Sequence, residues 1–167
     1  MSPSIIPPAR IYHAQAYDRA RDRTIVWGGR TPDDRVWAYD DSSDEWTELQ
    51  TTGGPNGIRS YQTLTFNPSD SSLVSFGGLL LDEPMSFGGE LTNETWLLDP
   101  ATGEWDLILT SEGLSARSHL SGTYVPALKG VLIYGGELHQ PYSDSLTNEI
   151  WVFSAESRSW DQVDQNE

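Results

Sequence analysis

Three arginines, Arg10, Arg59 and Arg117, each stand eighteen residues ahead of a pair of glycines: Gly28-Gly29, Gly77-Gly78 and Gly135-Gly136. An aromatic residue lies seven positions after each arginine (Tyr17, Phe66, Tyr124), and another directly precedes each glycine pair (Trp27, Phe76, Tyr134). Two tryptophans nine apart then close each copy: Trp37 and Trp46, Trp96 and Trp105, Trp151 and Trp160. Self-similarity of this kind restricts the chain to repeat architectures, in which one supersecondary unit is copied and stacked. Three copies take up the 167 residues. The chain is therefore read as a single region, 1–167, with units at about 8–52, 57–111 and 115–167.

Composition assigns strands within a copy. "TIVWGG", "LVSFGG" and "VLIYGG" are short apolar runs ended by glycine, as expected of strands buried on both faces. "RVWAYD", "ETWLLD" and "EIWVFS" are β-branched and aromatic runs, followed by turn-forming Asp, Pro, Ser and Gly. A strand after each arginine and another at the second tryptophan complete four antiparallel strands per copy. Four such strands per unit describe one blade of a β-propeller. No helical periodicity interrupts the pattern, so the fold class is all-β.

One spacing varies. The gap from glycine pair to tryptophan is nine residues in the first copy, nineteen in the second and sixteen in the third. The extra segments, "LLLDEPMSFGGE" and "ELHQPYSDS", are expected to be loops on one rim. The apolar content of Leu79 to Leu81 and of Met85 to Phe87 suggests a lid or contact surface. A second "SFGG" at Ser86 to Gly89 competes for the frame, and the arginine spacing selects Gly77-Gly78.

Taken together, the arginine ahead of the first strand, the closing glycine pair and the spaced tryptophans resemble the kelch-repeat family over almost the whole chain. The resemblance implies propeller blades that usually number about six, so three blades form half a ring. Two copies would complete it, or the chain is a fragment of a longer propeller whose missing blades lie on another polypeptide or were lost to truncation. It also implies a central channel with a ligand face at one end, where Arg10, Arg59 and Arg117 stand at the mouth. Converging guanidinium groups suit carboxylates. Alternatively, each arginine pairs with a carboxylate or carbonyl of a neighbouring blade. His13 matches a histidine common in the family, Gln62 takes its place in the second copy, and His119 stands one position earlier in the third. Asn93 and Asn148, in the repeated "LTNEXW", are expected to bridge backbone at a strand entrance.

Charge and composition narrow the partners. Net charge is −15, with Lys129 the one lysine, so the surface repels a phosphate backbone and nucleic acid is excluded as a partner. With no cysteine there is no disulfide framework, thiolate metal site or cysteine nucleophile, and a cysteine-modified tyrosine of the galactose-oxidase type cannot form. No apolar run approaches the roughly 18–20 residues of a membrane span, and the N-terminus lacks a secretion signal. A cytoplasmic protein without membrane or cofactor is expected. The long loop of the third copy sets His139 beside Glu137, Tyr142 and Asp144, where a histidine and a carboxylate could move a proton. His139, Glu137 and Tyr142 are thus the candidates for catalysis. Arg10, Arg59, Arg117, His13 and His119 are the candidates for ligand binding. The expected function is a binding module that presents an arginine-lined channel and loop face to a protein segment or an anionic small molecule. The alternative is a small metabolic enzyme of lyase or isomerase type with its site at the channel or a subunit junction. The resemblance allows either, since most of the family act as binding modules and some act as specifier proteins or sialic-acid epimerases.

Overall fold

The computed structural model describes residues 6–86, 88–108, 112–138 and 145–164. The first copy folds as β1 (Ala14–Asp18), β2 (Arg23–Trp27), β3 (Val36–Asp40) and β4 (Glu45–Leu49), an antiparallel sheet in chain order. The second contains β5 (Arg59–Ser60), β6 (Thr65–Asn67), β7 (Ser72–Phe76), β8 (Leu79–Leu81), β9 (Gly89–Leu91), β10 (Thr95–Leu98) and β11 (Trp105–Ile108). Its main sheet runs β6-β7-β10-β11, and β5-β8-β9 forms a small separate sheet. The third copy is β12 (Ser121–Val125), β13 (Gly130–Tyr134), β14 (Ile150–Ser154) and β15 (Ser159–Gln162), again in chain order, with a short 3-10 turn at Pro126–Leu128.

The turns repeat as faithfully as the strands. Between the first two strands of each blade, Asp22, Ser71 and Lys129 take left-handed backbone with φ of 53°, 60° and 48°. Between the last two, Asp44, Gly103 and Arg158 do the same at 57°, 79° and 54°. Only one of these six is glycine, so the hairpins impose the conformation on residues that disfavour it. Acidic caps help: Asp40 Oδ1 accepts from the backbone N–H of Ser42 at 2.9 Å and of Ser43 at 3.1 Å, and Asp99 accepts from that of Ala101 at 2.7 Å.

Strand alternation gives each sheet two faces, and the faces pack in sequence. Ala14, Ala16, Ile25, Trp27, Val36 and Ala38 of the first blade meet Leu64, Phe66, Leu73, Trp96, Leu98 and Trp105 of the second. A second layer joins Val74, Phe76, Leu97 and Ile108 to Val131, Ile133, Trp151, Phe153 and Trp160. The aromatic residue ahead of each of the first two glycine pairs meets the last tryptophan of the next blade. Trp27 and Trp105 have ring centroids 4.9 Å apart, and Phe76 and Trp160 are 5.2 Å apart. Offset rings of this size are the main apolar content of each layer.

The insertion of the second copy is not a loop over its first half. Leu79–Leu81 pairs with Arg59–Ser60 on one side and with Gly89–Leu91 on the other, and Leu79 and Leu81 are buried. The expectation of a leucine lid is thereby corrected: the apolar triplet fills the space beside the second blade. Met85 is exposed, and Phe87 lies outside the described residues. The glycine frame is settled by conformation, since Gly77 and Gly78 have φ of 69° and 96°, in line with 71° and 92° at Gly28-Gly29 and 71° and 111° at Gly135-Gly136.

Candidate functional site

The three arginines lead to the site by being turned away from it. Arg117 is fully buried: Nε donates to the Ser115 carbonyl at 3.1 Å, Nη1 to the Gly135 carbonyl at 3.3 Å and Nη2 to Glu149 at 2.5 Å. The same Glu149 oxygen accepts from the Trp151 indole at 3.1 Å. The second blade repeats the clasp, with Arg59 paired to Glu94, whose carboxylate accepts from Trp96 at 2.8 Å. In the first blade Arg35 occupies the glutamate position, two before Trp37, and stacks 5.3 Å over that ring. Arg10 therefore pairs with Asp33 instead, at 3.2 Å, while donating to the Gly28 carbonyl. The Trp37 indole N–H has no hydrogen-bond partner among the described residues.

The guanidinium cradle expected at the channel mouth is therefore not what the geometry builds. Each arginine is spent on its own blade, and the paired carboxylate comes from that blade and not from a neighbour. Burial lowers the pKa of Arg10 and of Arg59, and the facing Asp33 and Glu94 oppose it. Burial raises Glu149, but the hydrogen bonds from Arg117 and Trp151 outweigh it and leave the carboxyl below its usual range.

Two residues after each arginine stands a ring: Tyr12, Tyr61 and His119. All three adopt left-handed backbone, with φ of 59°, 60° and 57°. Such a conformation is costly for a bulky side chain, at roughly 1–2 kcal/mol apiece. Pairing between blades holds it in place. The Tyr61 N–H donates to the Tyr12 carbonyl at 3.0 Å, and the His119 N–H to the Tyr61 carbonyl at 3.1 Å. One residue pair away, the Gly29 N–H donates to the Arg59 carbonyl at 2.6 Å and the Gly78 N–H to the Arg117 carbonyl at 2.8 Å. The rings consequently stack along the rim on which the glycine pairs lie. Tyr12 and Tyr61 have centroids 4.3 Å apart, and Tyr61 and His119 are 3.8 Å apart.

Charged groups flank this column. His119 Nδ1 shares a hydrogen bond of 2.9 Å with the Ser118 hydroxyl and lies 3.4 Å from Glu137. Arg30, paired across the rim with Ile11, donates to the Met85 carbonyl of the second blade's insertion. Burial first, and then the hydrogen bond shared with Tyr12, push the Tyr61 phenol up to about 12, so it remains a neutral donor at ordinary pH. His13 lies one residue beyond Tyr12 with its Cβ against Gly29; its outer ring reaches solvent, and partial desolvation first and then the Arg10 charge lower its pKa. Of the loop candidates, Glu137 faces His119, whereas His139 and Tyr142 lie outside the described residues. Among the described residues no group of three or more histidine, aspartate or glutamate side chains could hold a metal ion, and no helix is long and apolar enough to cross a membrane.

Repeated arginine clasps, paired glycines at positive φ and stacked four-stranded blades all agree with one comparison. A family model, the KLHDC2/KLHL20/DRC7 Kelch-repeats domain, matches residues 2–167. The chain belongs to the kelch-repeat family. A kelch-repeat domain suggests a protein-binding module. Among curated relatives, the N-(sulfonatooxy)prop-2-enimidothioate sulfolyase of Thlaspi arvense is 28% identical over 131 residues. That match takes in 74% of this chain and 36% of the relative, so the kelch chain spans little more than a third of the protein it resembles.

Proposed function

We propose that this chain is a kelch-type binding module that holds a protein segment on the rim built by Tyr12, Tyr61 and His119. The observation that carries this reading is the ring column: three aromatic side chains in the same strained conformation, stacked across three blades. Strained backbone held in place by its surroundings clusters at ligand clamps and other functional sites, and here, outside the hairpin turns, it recurs beneath a stacked and partly exposed ring column. Tyrosine rings supply contact area at small entropic cost. His13 and His119 extend the same rim toward an anionic group. In this reading two copies complete a propeller of about six blades.

Replacing Tyr61 and His119 by asparagine tests it. Asparagine accepts left-handed backbone more readily than tyrosine or histidine, so the rings are removed without disturbing the inter-blade bonds. A peptide selected against the wild-type chain from a display library should lose at least about tenfold in affinity, with the melting temperature unchanged or raised. Undiminished affinity in the double variant overturns the proposal.

The relative's name favours a second reading, a lyase working at the same rim. The pairing of His119 with Glu137 supplies an acid/base couple of the required kind. Turnover of a sulfonatooxy imidothioate by the purified chain, abolished in His119→Asn, would support it. Absence of turnover in the wild type refutes it for this chain.

A further inference from the structure

The edge strands β1, β6 and β12 lie side by side, and together they line a cavity of about 300 Å³. Small-molecule sites span about 300–1,000 Å³, so this one stands at the low end of that range. Its lining comes from the same positions in every copy: five, six, seven and nine residues after Arg10, Arg59 and Arg117. The ring column stands only two residues after those arginines. The cavity is thus a separate place, further along the strands toward the turns at Asp22, Ser71 and Lys129.

Three features of the lining bear on what it takes. At the seventh position stand the rings of Tyr17, Phe66 and Tyr124. The Tyr17 hydroxyl donates to Asp22, and the Tyr124 hydroxyl shares a hydrogen bond of 3.0 Å with Ser69. Both phenols are tethered from outside the cavity, so their rings are held ready and lose little rotamer freedom to a ligand. At the fifth position Gly122 lets β12 approach β6 closely, since a Cβ there would stand 3.0 Å from Thr65 Oγ1. Thr65 is 7% exposed at the cavity floor, and its hydroxyl has no hydrogen-bond partner among the described residues.

The ninth position supplies the charge. Arg19 is exposed in the cavity wall, and it is the one arginine with no hydrogen bond or ion pair among the described residues. In a chain with 25 acidic residues against 10 basic ones, a guanidinium without a carboxylate is an exception. The carboxylates close to it in the chain are engaged elsewhere, Asp22 by Tyr17 and Asp18 by Arg21 and Arg23. A guanidinium takes a carboxylate through two parallel N–H bonds, and flat rings favour offset contact with another ring.

We propose that this cavity binds a small aromatic carboxylate, with the carboxylate on Arg19 and the ring among Tyr17, Phe66 and Tyr124. The site draws on all three blades, and it is independent of any segment held on the rim.

Benzoate, with benzamide as its neutral counterpart, tests the proposal by nuclear magnetic resonance on the labelled chain at matched ionic strength. Benzoate should produce saturable shifts at the amides of 15–17, 64–66 and 122–124. Benzamide should bind at least about tenfold more weakly, because a hydrogen bond to a charged group is worth more than one between neutral groups. Arg19→Gln should lower benzoate affinity to that of benzamide with the melting temperature unchanged, since the side chain is exposed. Lys129→Gln, which removes one positive charge outside the cavity, should leave benzoate affinity as it is. No saturable response to benzoate, equal affinity for benzamide, or undiminished affinity in Arg19→Gln overturns the proposal. Benzoate shifts confined to 11–13, 60–62 and 118–120 overturn it as well, by moving the ligand to the rim.

Discussion

Removing the Glu149 carboxylate should destabilise the chain more than removing the arginine it serves. Arg117 is 0% exposed at its side chain and Glu149 32% exposed, so the charge that cannot reach water is the guanidinium. Glu149→Ala leaves that charge buried with only the Ser115 and Gly135 carbonyls, and it also strands the Trp151 indole N–H. Breaking a fully buried pair in this way costs about 3–5 kcal/mol, and partial exposure of the carboxylate reduces the expectation to about 2–3 kcal/mol. Arg117→Met removes the charge and keeps the apolar stem, and the Glu149 carboxylate it leaves behind is open to water. Two carbonyls lose donors, for a cost of about 1–2 kcal/mol. In a domain of this size the Glu149→Ala loss corresponds to a fall in melting temperature of about 4–12 °C. Asp106→Ala provides the control: its pair with Arg158 is 64% and 49% exposed and should contribute about 0–1 kcal/mol. Urea unfolding followed by tryptophan fluorescence measures all three variants. Glu149→Ala costing no more than Asp106→Ala, or less than Arg117→Met, would refute the account of the clasp.

Three further outcomes follow from the same geometry. Gly28→Ala and Gly77→Ala should each cost markedly more stability than Gly135→Ala in the single chain, because all three share positive φ but only the first two abut the next blade's backbone; equal losses in thermal melts would contradict the blade junctions. In an alkaline titration read by phenolate absorbance, one tyrosine should ionise near 12 and vanish in Tyr61→Phe. Since that pKa is raised from 10.0, the associated stability is complete below 10 and declines as pH rises toward 12. On the acid side, the lowered pKa of Glu149 contributes stability above its ordinary 4.5 that is lost as pH falls below that value. Glu149→Gln should flatten this part of the stability profile, and an unchanged slope would show the carboxylate to be uncoupled from folding.

The repeat was legible because arginine, paired glycine and tryptophan are scarce residues placed at fixed offsets, and each has one structural task that recurs at every blade. The destination of the arginines was harder to see. Glu94 and Glu149, two residues before Trp96 and Trp151, stand in plain view in the sequence, but the first copy has Arg35 at that position and draws its carboxylate from Asp33. A pattern broken in one copy of three hides its partner. The ring column was missed for a different reason. An aromatic follows two residues after each of Arg10, Arg59 and Arg117, yet tyrosine and histidine so seldom take left-handed backbone that composition gives no hint of it. Only pairing between blades, which is non-local, fixes that conformation. The Leu79–Leu81 triplet resembled an exposed apolar loop because its partner strand, Arg59–Ser60, is just two residues long and lies ahead of the segment read as the unit's first strand.

The most direct test of the binding face is to map, by nuclear magnetic resonance, the backbone amides that shift when a selected peptide is added to the labelled chain. The account predicts shifts grouped at 11–13, 60–62 and 118–120 and at Glu137, all on the rim of the glycine pairs. Shifts grouped instead at the opposite end, around the turns at Asp22, Ser71 and Lys129, would contradict it.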